Sequence, residues 1–202
     1  VQAVQAAVRI AVTTRLSLYD GFPLPYGWGG GSDGQLDLTE PLELARLLVE
    51  DGVTMINATV GNPYVNPHVN RPYSKGSYVP PEHPLEGVAR LCRCTAALKQ
   101  ALPGTAVVAS GLSWLRGFSA NLAAGLVDSG VADLTGFGRL AFACAAFGRE
   151  LLAGTLDNRR CCIACGKCSE LMRAGGMAGC VVQDSAVYAP LYKQYVKGGG
   201  AS

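Results

Sequence analysis

Charged side chains are scarce in this sequence. Lys, Arg, Asp and Glu make up 16% of its 202 residues, well below the share of about a quarter that is usual in globular proteins. The net charge is only +2, and no run of basic residues concentrates it, which argues against a nucleic-acid-binding protein. So little charge also indicates that part of the surface is covered by something else.

Long apolar runs and export signals are absent as well. No stretch of about 18 apolar residues occurs, so we expect no transmembrane helix and no membrane association. The opening VQAVQAAVRIAV has no basic stretch and no cleavage pattern, so we expect no secretory peptide. Cysteines in a chain without an export signal indicate a reducing compartment, and we expect the cytoplasm.

No G-x-G-x-x-G motif follows the first predicted strand, so a dinucleotide-binding doubly wound domain has little support. Histidine is nearly absent, with His68 and His83 as the two examples. Both lie in a predicted loop over residues 61–83, which also contains Arg71 and three tyrosines (Tyr64, Tyr73 and Tyr78). This loop is either a substrate lid or a set of solvated residues.

Apolar patterns along the chain predict strands that alternate with helices. Strand-like runs cover residues 8–18, 53–60, 105–112 and 132–137. Helical patterns begin at the N-cap residue Thr39, at Pro84, around Leu122 and at Phe142, the last continuing to Leu152.

Such alternation predicts an α/β fold with parallel strands and right-handed crossovers. Without the dinucleotide motif, the main candidate is a (β/α)8 TIM barrel, which needs about 250 residues and eight strands. The sequence provides four strands, so we interpret residues 1–154 as the C-terminal half of a barrel. A partner chain or a missing N-terminal half would complete it. A four-stranded open sheet is the alternative.

Polar residues and glycines follow the predicted strands, at the edge where barrel enzymes place their sites. The end of the second strand offers Asn57, Thr59, Gly61 and Asn62, that of the third Gly111, and that of the fourth Gly138 and Arg139. Glycine before a helix exposes N–H groups to an anion such as phosphate, although it also simply allows a tight turn. Arg15 is a charge within an apolar strand, so it needs a cofactor contact or a structural ion pair.

Five of the eight cysteines crowd into residues 161–180. Cys162, Cys165 and Cys168 form a C-x2-C-x2-C motif, and Cys180 follows after eleven residues. Three close thiolates and a distant fourth suit a [4Fe-4S] cluster. A four-cysteine zinc site and plain thiols are the alternatives. We therefore predict a cluster-binding segment over residues 155–202.

Two further features of this segment bear on the cluster. Cys161 is a spare thiol, which we interpret as a buried neighbour rather than a ligand. Gly175, Gly176 and Gly179 are expected to let the backbone wrap closely around an inorganic core.

Five segments together resemble a known family. They are TTRLSLYDG (13–21), INATVGNP (56–63), VVASGLS (107–113), ADLTGFGR (132–139) and CIACGKC (162–168) with Cys180. In this order they resemble the NADH:flavin oxidoreductases of the old yellow enzyme family. The resemblance is closest to the iron–sulfur branch that includes 2,4-dienoyl-CoA reductase and trimethylamine dehydrogenase.

The resemblance implies an FMN-binding barrel that takes electrons from NAD(P)H and reduces an activated C=C bond of a small-molecule substrate. Arg15 would contact the isoalloxazine ring. The FMN phosphate would be held by Gly111, Ser113, Gly138 and Arg139. The cluster ligands would be Cys162, Cys165, Cys168 and Cys180.

The family's first four strands, which supply its substrate-anchoring and proton-donating residues, have no counterpart in this sequence. The catalytic residues therefore stay unassigned. The alternative interpretation is a non-catalytic electron-transfer or structural subunit that retains only the metal site.

Overall fold

A computed structural model describes residues 1–31, 35–76 and 78–198. The chain divides into two compact units, and we describe each by itself. The first, here called the sheet unit, consists of Val1–Pro72, Pro81–Leu112 and Asn121–Gly136. The second, here called the cysteine unit, consists of Tyr73–Pro80, Ser113–Ala120 and the chain from Phe137 onward. The predicted boundary between residues 154 and 155 lies inside the cysteine unit.

Strands and helices alternate through most of the chain, as the apolar patterns predict. The elements up to the last strand are α1 (Gln2–Ala7), β1 (Val12–Ser17), α2 (Thr39–Glu50), β2 (Val53–Thr59), α3 (Pro67–Asn70), α4 (Pro84–Ala101), β3 (Ala106–Ser110), a 3-10 helix (Leu112–Phe118), α5 (Ser119–Asp128) and β4 (Leu134–Gly136). After them come α6 (Gly138–Ala143), α7 (Phe147–Leu152), a 3-10 helix (Asn158–Arg160), α8 (Lys167–Arg173), α9 (Ser185–Tyr192) and a π-helical turn (Lys193–Lys197).

The four strands form one parallel sheet in which spatial order follows chain order, β1-β2-β3-β4. Arg15 pairs with Asn57, Asn57 with Val108, and Val108 with Leu134. These four residues therefore lie in one row across the sheet, on the same face. The α/β class and the parallel strands are confirmed.

Side chains alternate between the two faces along each strand, so the apolar ones gather on one face. Helices pack against that face. Ile56 and Val107 lie in a single buried cluster with Leu91 and Leu98 of α4. On the other face Arg15 and Leu134 of the edge strands are exposed, whereas Asn57 and Val108 of the central strands are half-buried. Parallel sheets in proteins are almost always covered on both faces, so this partly bare face, here called the bare face, is unusual.

The region predicted as one helix over 142–152 differs from the prediction. The structure has two short helices, α6 and α7, with Cys144 in extended conformation between them. The Cys144 side chain is buried, and its Sγ lies 3.4 Å from Glu150 Oε2. The helical pattern is interrupted at this buried thiol, although the sequence has no helix-breaking residue there.

None of the helices in the described ranges combines the length and the apolar character that a bilayer-spanning helix needs.

Candidate functional site: a cavity lined by four cysteines

The four predicted cluster ligands are brought together in the cysteine unit. Cys162, Cys165, Cys168 and Cys180 line one cavity. The other residues that line it are Arg139, Phe142, Ile163, Gly166, Val181, Val182 and Gln183. Besides the four thiols, the polar residues of the wall are Arg139 and Gln183, and the other side chains there are apolar.

The C-x2-C-x2-C segment turns sharply between its cysteines. Ala164 has φ 55° and Gly166 has φ 79°, both in the left-handed region. Glycine takes this conformation without strain, and α8 begins at the next residue. Cys168 consequently lies in the first turn of a helix, while Cys162 and Cys165 lie on the loop that leads into it.

Gln183 fastens the distant cysteine to this loop. Its side-chain Nε2 donates to the backbone oxygen of Arg159 at 2.7 Å and to that of Cys161 at 3.4 Å. Its backbone N–H donates to Cys180 Sγ at 3.3 Å. In the same way Ala164 N–H donates to Cys162 Sγ at 3.4 Å. Two of the thiols therefore already accept backbone hydrogen bonds.

Two opposing effects act on Cys162. Burial raises the pKa of its thiol, while the positive charge of Arg139 lowers it. Arg139 is the charged residue among the described residues that line the cavity. The cavity therefore combines four sulfur donors with one fixed positive charge.

Two further observations concern the donor set of the cavity. Within residues 1–31, 35–76 and 78–198, no three His, Cys, Asp or Glu side chains are gathered closely enough to hold a single metal ion. Cys161 is fully buried, and its Sγ lies 3.6 Å from the backbone oxygen of Asp157. It is not among the residues that line the cavity.

The glycines after the motif have a different use from the one predicted. A Cβ on Gly176 would lie 2.4 Å from Leu171 Cδ1, and a Cβ on Gly179 would lie 2.0 Å from the Tyr188 ring. Neither glycine lines the cysteine cavity. They make room for protein side chains, so the expectation that they wrap an inorganic core was wrong for these two.

Contacts between α8 and the C-terminal elements complete the cysteine unit, and sequence reasoning missed them. The Tyr192 hydroxyl donates to Glu170, which raises the pKa of Tyr192 to about 12. Lys167 Nζ lies 5.9 Å from the centre of the same ring. The helix that carries Cys168 is thereby tied to the segment that follows Cys180.

A second polar group lies on the bare face of the sheet unit. Arg15 Nη2 donates to Thr59 Oγ1 at 3.1 Å, and Asn70 Nδ2 donates to the same oxygen at 3.3 Å. Among the described residues no carboxylate lies within 4.0 Å of Arg15. The structural ion pair considered for Arg15 is therefore not formed there. Asn57 Oδ1, in the same row, is buried and has no hydrogen-bond partner among the residues that the structure describes.

The residues predicted for the phosphate are divided between the units. Gly111, in the sheet unit, has φ 87°, and a Cβ on it would lie 2.6 Å from Leu91 Cδ1. Packing and backbone conformation are thus enough to require glycine there. In the cysteine unit, Ser113 is buried, Gly138 begins α6, and Arg139 lies at the cysteine cavity.

The loop histidines make structural contacts. His83 Nδ1 accepts from Leu85 N–H at 3.3 Å and so caps α4. His68 is buried, with its Nε2 3.9 Å from Glu82 Oε1. Tyr73 is also buried, whereas Tyr64 is 85% exposed. The expectation of solvated residues was wrong for His68 and Tyr73.

Comparison with protein-family models finds none that matches the chain, and comparison with curated proteins also finds no match. The evidence for a function therefore comes from the residues of this chain.

Proposed function

We propose that this protein is an FMN- and [4Fe-4S]-dependent oxidoreductase that uses NAD(P)H to reduce an activated C=C bond. The observation that carries the proposal is the shared cavity of Cys162, Cys165, Cys168 and Cys180. Thiols of a short motif and of a residue twelve positions further along line one cavity, although among the described residues no three of them are close enough to hold a single metal ion. Four cysteines around one cavity are the donor set that a cluster would need.

The donor set suits an iron–sulfur cluster. Thiolate is the ligand such clusters use, and a cluster transfers single electrons. The cavity walls are mostly apolar, N–H groups already point at two sulfurs, and Arg139 offsets part of the thiolate charge. Hydrogen bonds to sulfur, burial and net charge are the protein's means of setting a cluster's potential.

The flavin part of the proposal is supported by the sheet unit. Its strands follow one another in space as they do in the chain, which is how neighbouring strands of a (β/α)8 barrel are arranged. Arg15 presents donors on the bare face without a carboxylate partner in the described ranges. A flavin carbonyl would accept from this guanidinium, and the chain's role would be to bind and orient the ring.

A further four βα units are proposed as the partner of this chain. The bare face of the sheet carries the row of Arg15, Asn57, Val108 and Leu134, and a parallel sheet is normally covered on both sides. The missing strands, from another chain or from a longer form of this one, would cover it. They would also provide the substrate-anchoring and proton-donating residues.

The test is to purify the chain anaerobically and to measure iron, sulfide, zinc and FMN per chain together with the visible spectrum. We expect about four irons per chain, as a cubane requires, and flavin absorbance after addition of FMN. Zinc without iron would overturn the cluster. A cluster without any flavin binding would favour the non-catalytic electron-transfer subunit over the enzyme.

A further inference from the structure

Gln183 contacts both parts of the chain that supply the cysteines of the cavity. Its side-chain Nε2 donates to the backbone oxygens of Arg159 and Cys161, at 2.7 Å and 3.4 Å, directly before the motif begins at Cys162. Its backbone N–H donates to the Sγ of Cys180 at 3.3 Å. One residue therefore joins the stretch before the motif to the sulfur of the distant cysteine.

The turn that carries this N–H is closed by a backbone hydrogen bond of its own, from Asp184 N–H to the Cys180 oxygen at 3.0 Å. That bond shapes the turn, whereas the Gln183 amide attaches the turn to the stretch before the motif. Both acceptors there are carbonyl oxygens, so the attachment needs a side chain with N–H donors, which an amide has and a carboxylate lacks. The side chain of Gln183 thus holds its own backbone N–H in place against the sulfur.

A hydrogen bond to a cysteine sulfur matters most when the sulfur is a thiolate. Hydrogen bonds to a charged acceptor are shorter and stronger than those between neutral groups. Reduction of a cluster adds negative charge that its sulfurs share, so an N–H directed at a sulfur stabilises the reduced form more than the oxidised one. For this reason hydrogen bonds to the sulfurs are among the features that set a cluster's reduction potential.

We propose that Gln183 is a positioning residue of the cysteine cavity. Its side-chain amide holds the turn after Cys180 against the stretch before the motif, so that its backbone N–H raises the reduction potential of a bound cluster and slows the loss of iron. Residues that orient metal ligands in this way typically account for about 10–100-fold in metal affinity. This inference rests on the proposed function, since it takes a [4Fe-4S] cluster as the bound group.

The test measures the midpoint potential and the iron retention of the full chain after anaerobic reconstitution with iron and sulfide. A redox titration followed by electron paramagnetic resonance gives the potential, and transfer of iron to a chelator gives the retention. Gln183→Ala is expected to have a lower potential than the wild type and to lose iron roughly tenfold faster. Gln194→Ala, at an exposed glutamine of the same unit, is the control and should match the wild type in both measurements.

The outcomes separate this inference from the proposed function. Faster iron loss in Gln183→Ala without a lower potential would mean that the residue only supports the local fold, and would overturn the positioning role. Unchanged values of both would overturn it too. If Gln183→Ala assembles no cluster, Gln183→Asn, whose amide is one methylene shorter, is measured instead, and an unchanged potential there has the same meaning. Wild-type protein that takes up zinc or no metal would overturn the proposed function itself, which the other outcomes leave standing.

Discussion

The sheet unit and the cysteine unit are held together in different ways. Every buried residue of the main apolar cluster belongs to the sheet unit, with Leu18, Ile56 and Leu98 fully buried. In the cysteine unit, Leu140, Cys161 and Leu171 are among the buried apolar residues, and hydrogen bonds to sulfur, to backbone oxygens and to Glu170 join its segments. Apolar burial explains the first unit. The second has short helices and a cavity lined by four thiols, and under the proposed function its folding would be coupled to metal binding.

The largest effect is expected from the metal ligands. Cys165→Ser should lose iron and unfold much of the cysteine unit, because metal binding and local folding are one equilibrium. Iron analysis and hydrogen exchange measure both consequences. Cys92→Ser is the matched control, because Cys92 lies half-buried on α4 in the sheet unit. The Cys92→Ser protein should keep its iron. Unchanged iron in the Cys165 variant would contradict the ligand assignment.

Creating a cavity in the core of the sheet unit should lower its stability and leave the iron content unchanged. Leu98→Ala removes a fully buried side chain and is expected to lower the free energy of unfolding by about 2–5 kcal/mol. The iron content of the folded protein should not change. Urea unfolding followed by circular dichroism measures the loss, with the 53% exposed Leu47, changed to Ala, as the control. A loss no larger than that of Leu47→Ala would mean that the apolar cluster is not what stabilises this unit.

Overpacking should reveal how tightly the cysteine unit is built. Gly179→Ala would place a methyl group against the Tyr188 ring and is expected to cost about 1–3 kcal/mol. Gly148→Ala meets nothing within 4 Å and lies in α7, so it should be neutral or slightly stabilising. Thermal unfolding of the iron-loaded variants compares them. Equal melting temperatures would show that the Tyr188 contact does not contribute.

The smallest effect concerns an ion pair of the sheet unit. Lys99 Nζ lies 2.8 Å from Asp133 Oδ2, and the hydrogen bonds from Lys99 and from Val107 N–H hold the pKa of Asp133 below its usual 3.8. Because the folded-state pKa is the lower one, the stabilisation is complete above about pH 5 and is lost as the pH falls through the folded value. Its size is limited to roughly 1 kcal/mol or less, since the Asp133 side chain is 40% exposed.

Asp133→Asn isolates that contribution. Its melting temperature should lie slightly below that of the wild type at pH 7, and the gap should close as the pH falls through the folded-state pKa of Asp133, which lies below 3.8, because the wild-type carboxylate is then itself protonated. A gap that stays constant with pH would mean that the charge of Asp133 does not stabilise the fold.

Much of the sheet unit could be predicted because its strands are short apolar runs. Val53–Thr59 and Ala106–Ser110 each lie within a predicted run and between predicted helices. The break at Cys144 could not be predicted in the same way. It depends on a thiol that is buried and reaches Glu150, which no local pattern records.

In the candidate site, too, local features could be predicted and long-range contacts could not. The spacing of Cys162, Cys165 and Cys168 predicts a metal site, because ligand spacing is local information, and the structure places these cysteines around one cavity with Cys180. Gln183 links Cys180 to the loop. It was missed because the partners of its side chain are more than twenty residues away in the sequence. The unpaired oxygen of Asn57 was also beyond sequence reasoning, because a missing partner is known only once all the neighbours are placed.

The chain-order arrangement of the sheet has a consequence for synthesis. Each strand lies beside the strand made just before it, so the sheet can grow one strand at a time as the chain leaves the ribosome, with little loop-closure entropy at each addition. The cysteine unit instead joins residues 73–80 and 113–120 to the chain from Phe137 onward. Its assembly has to wait for the last of these stretches, and all four cavity thiols lie in that stretch. Delivery of metal would therefore be a late event, on a chain whose sheet is already formed.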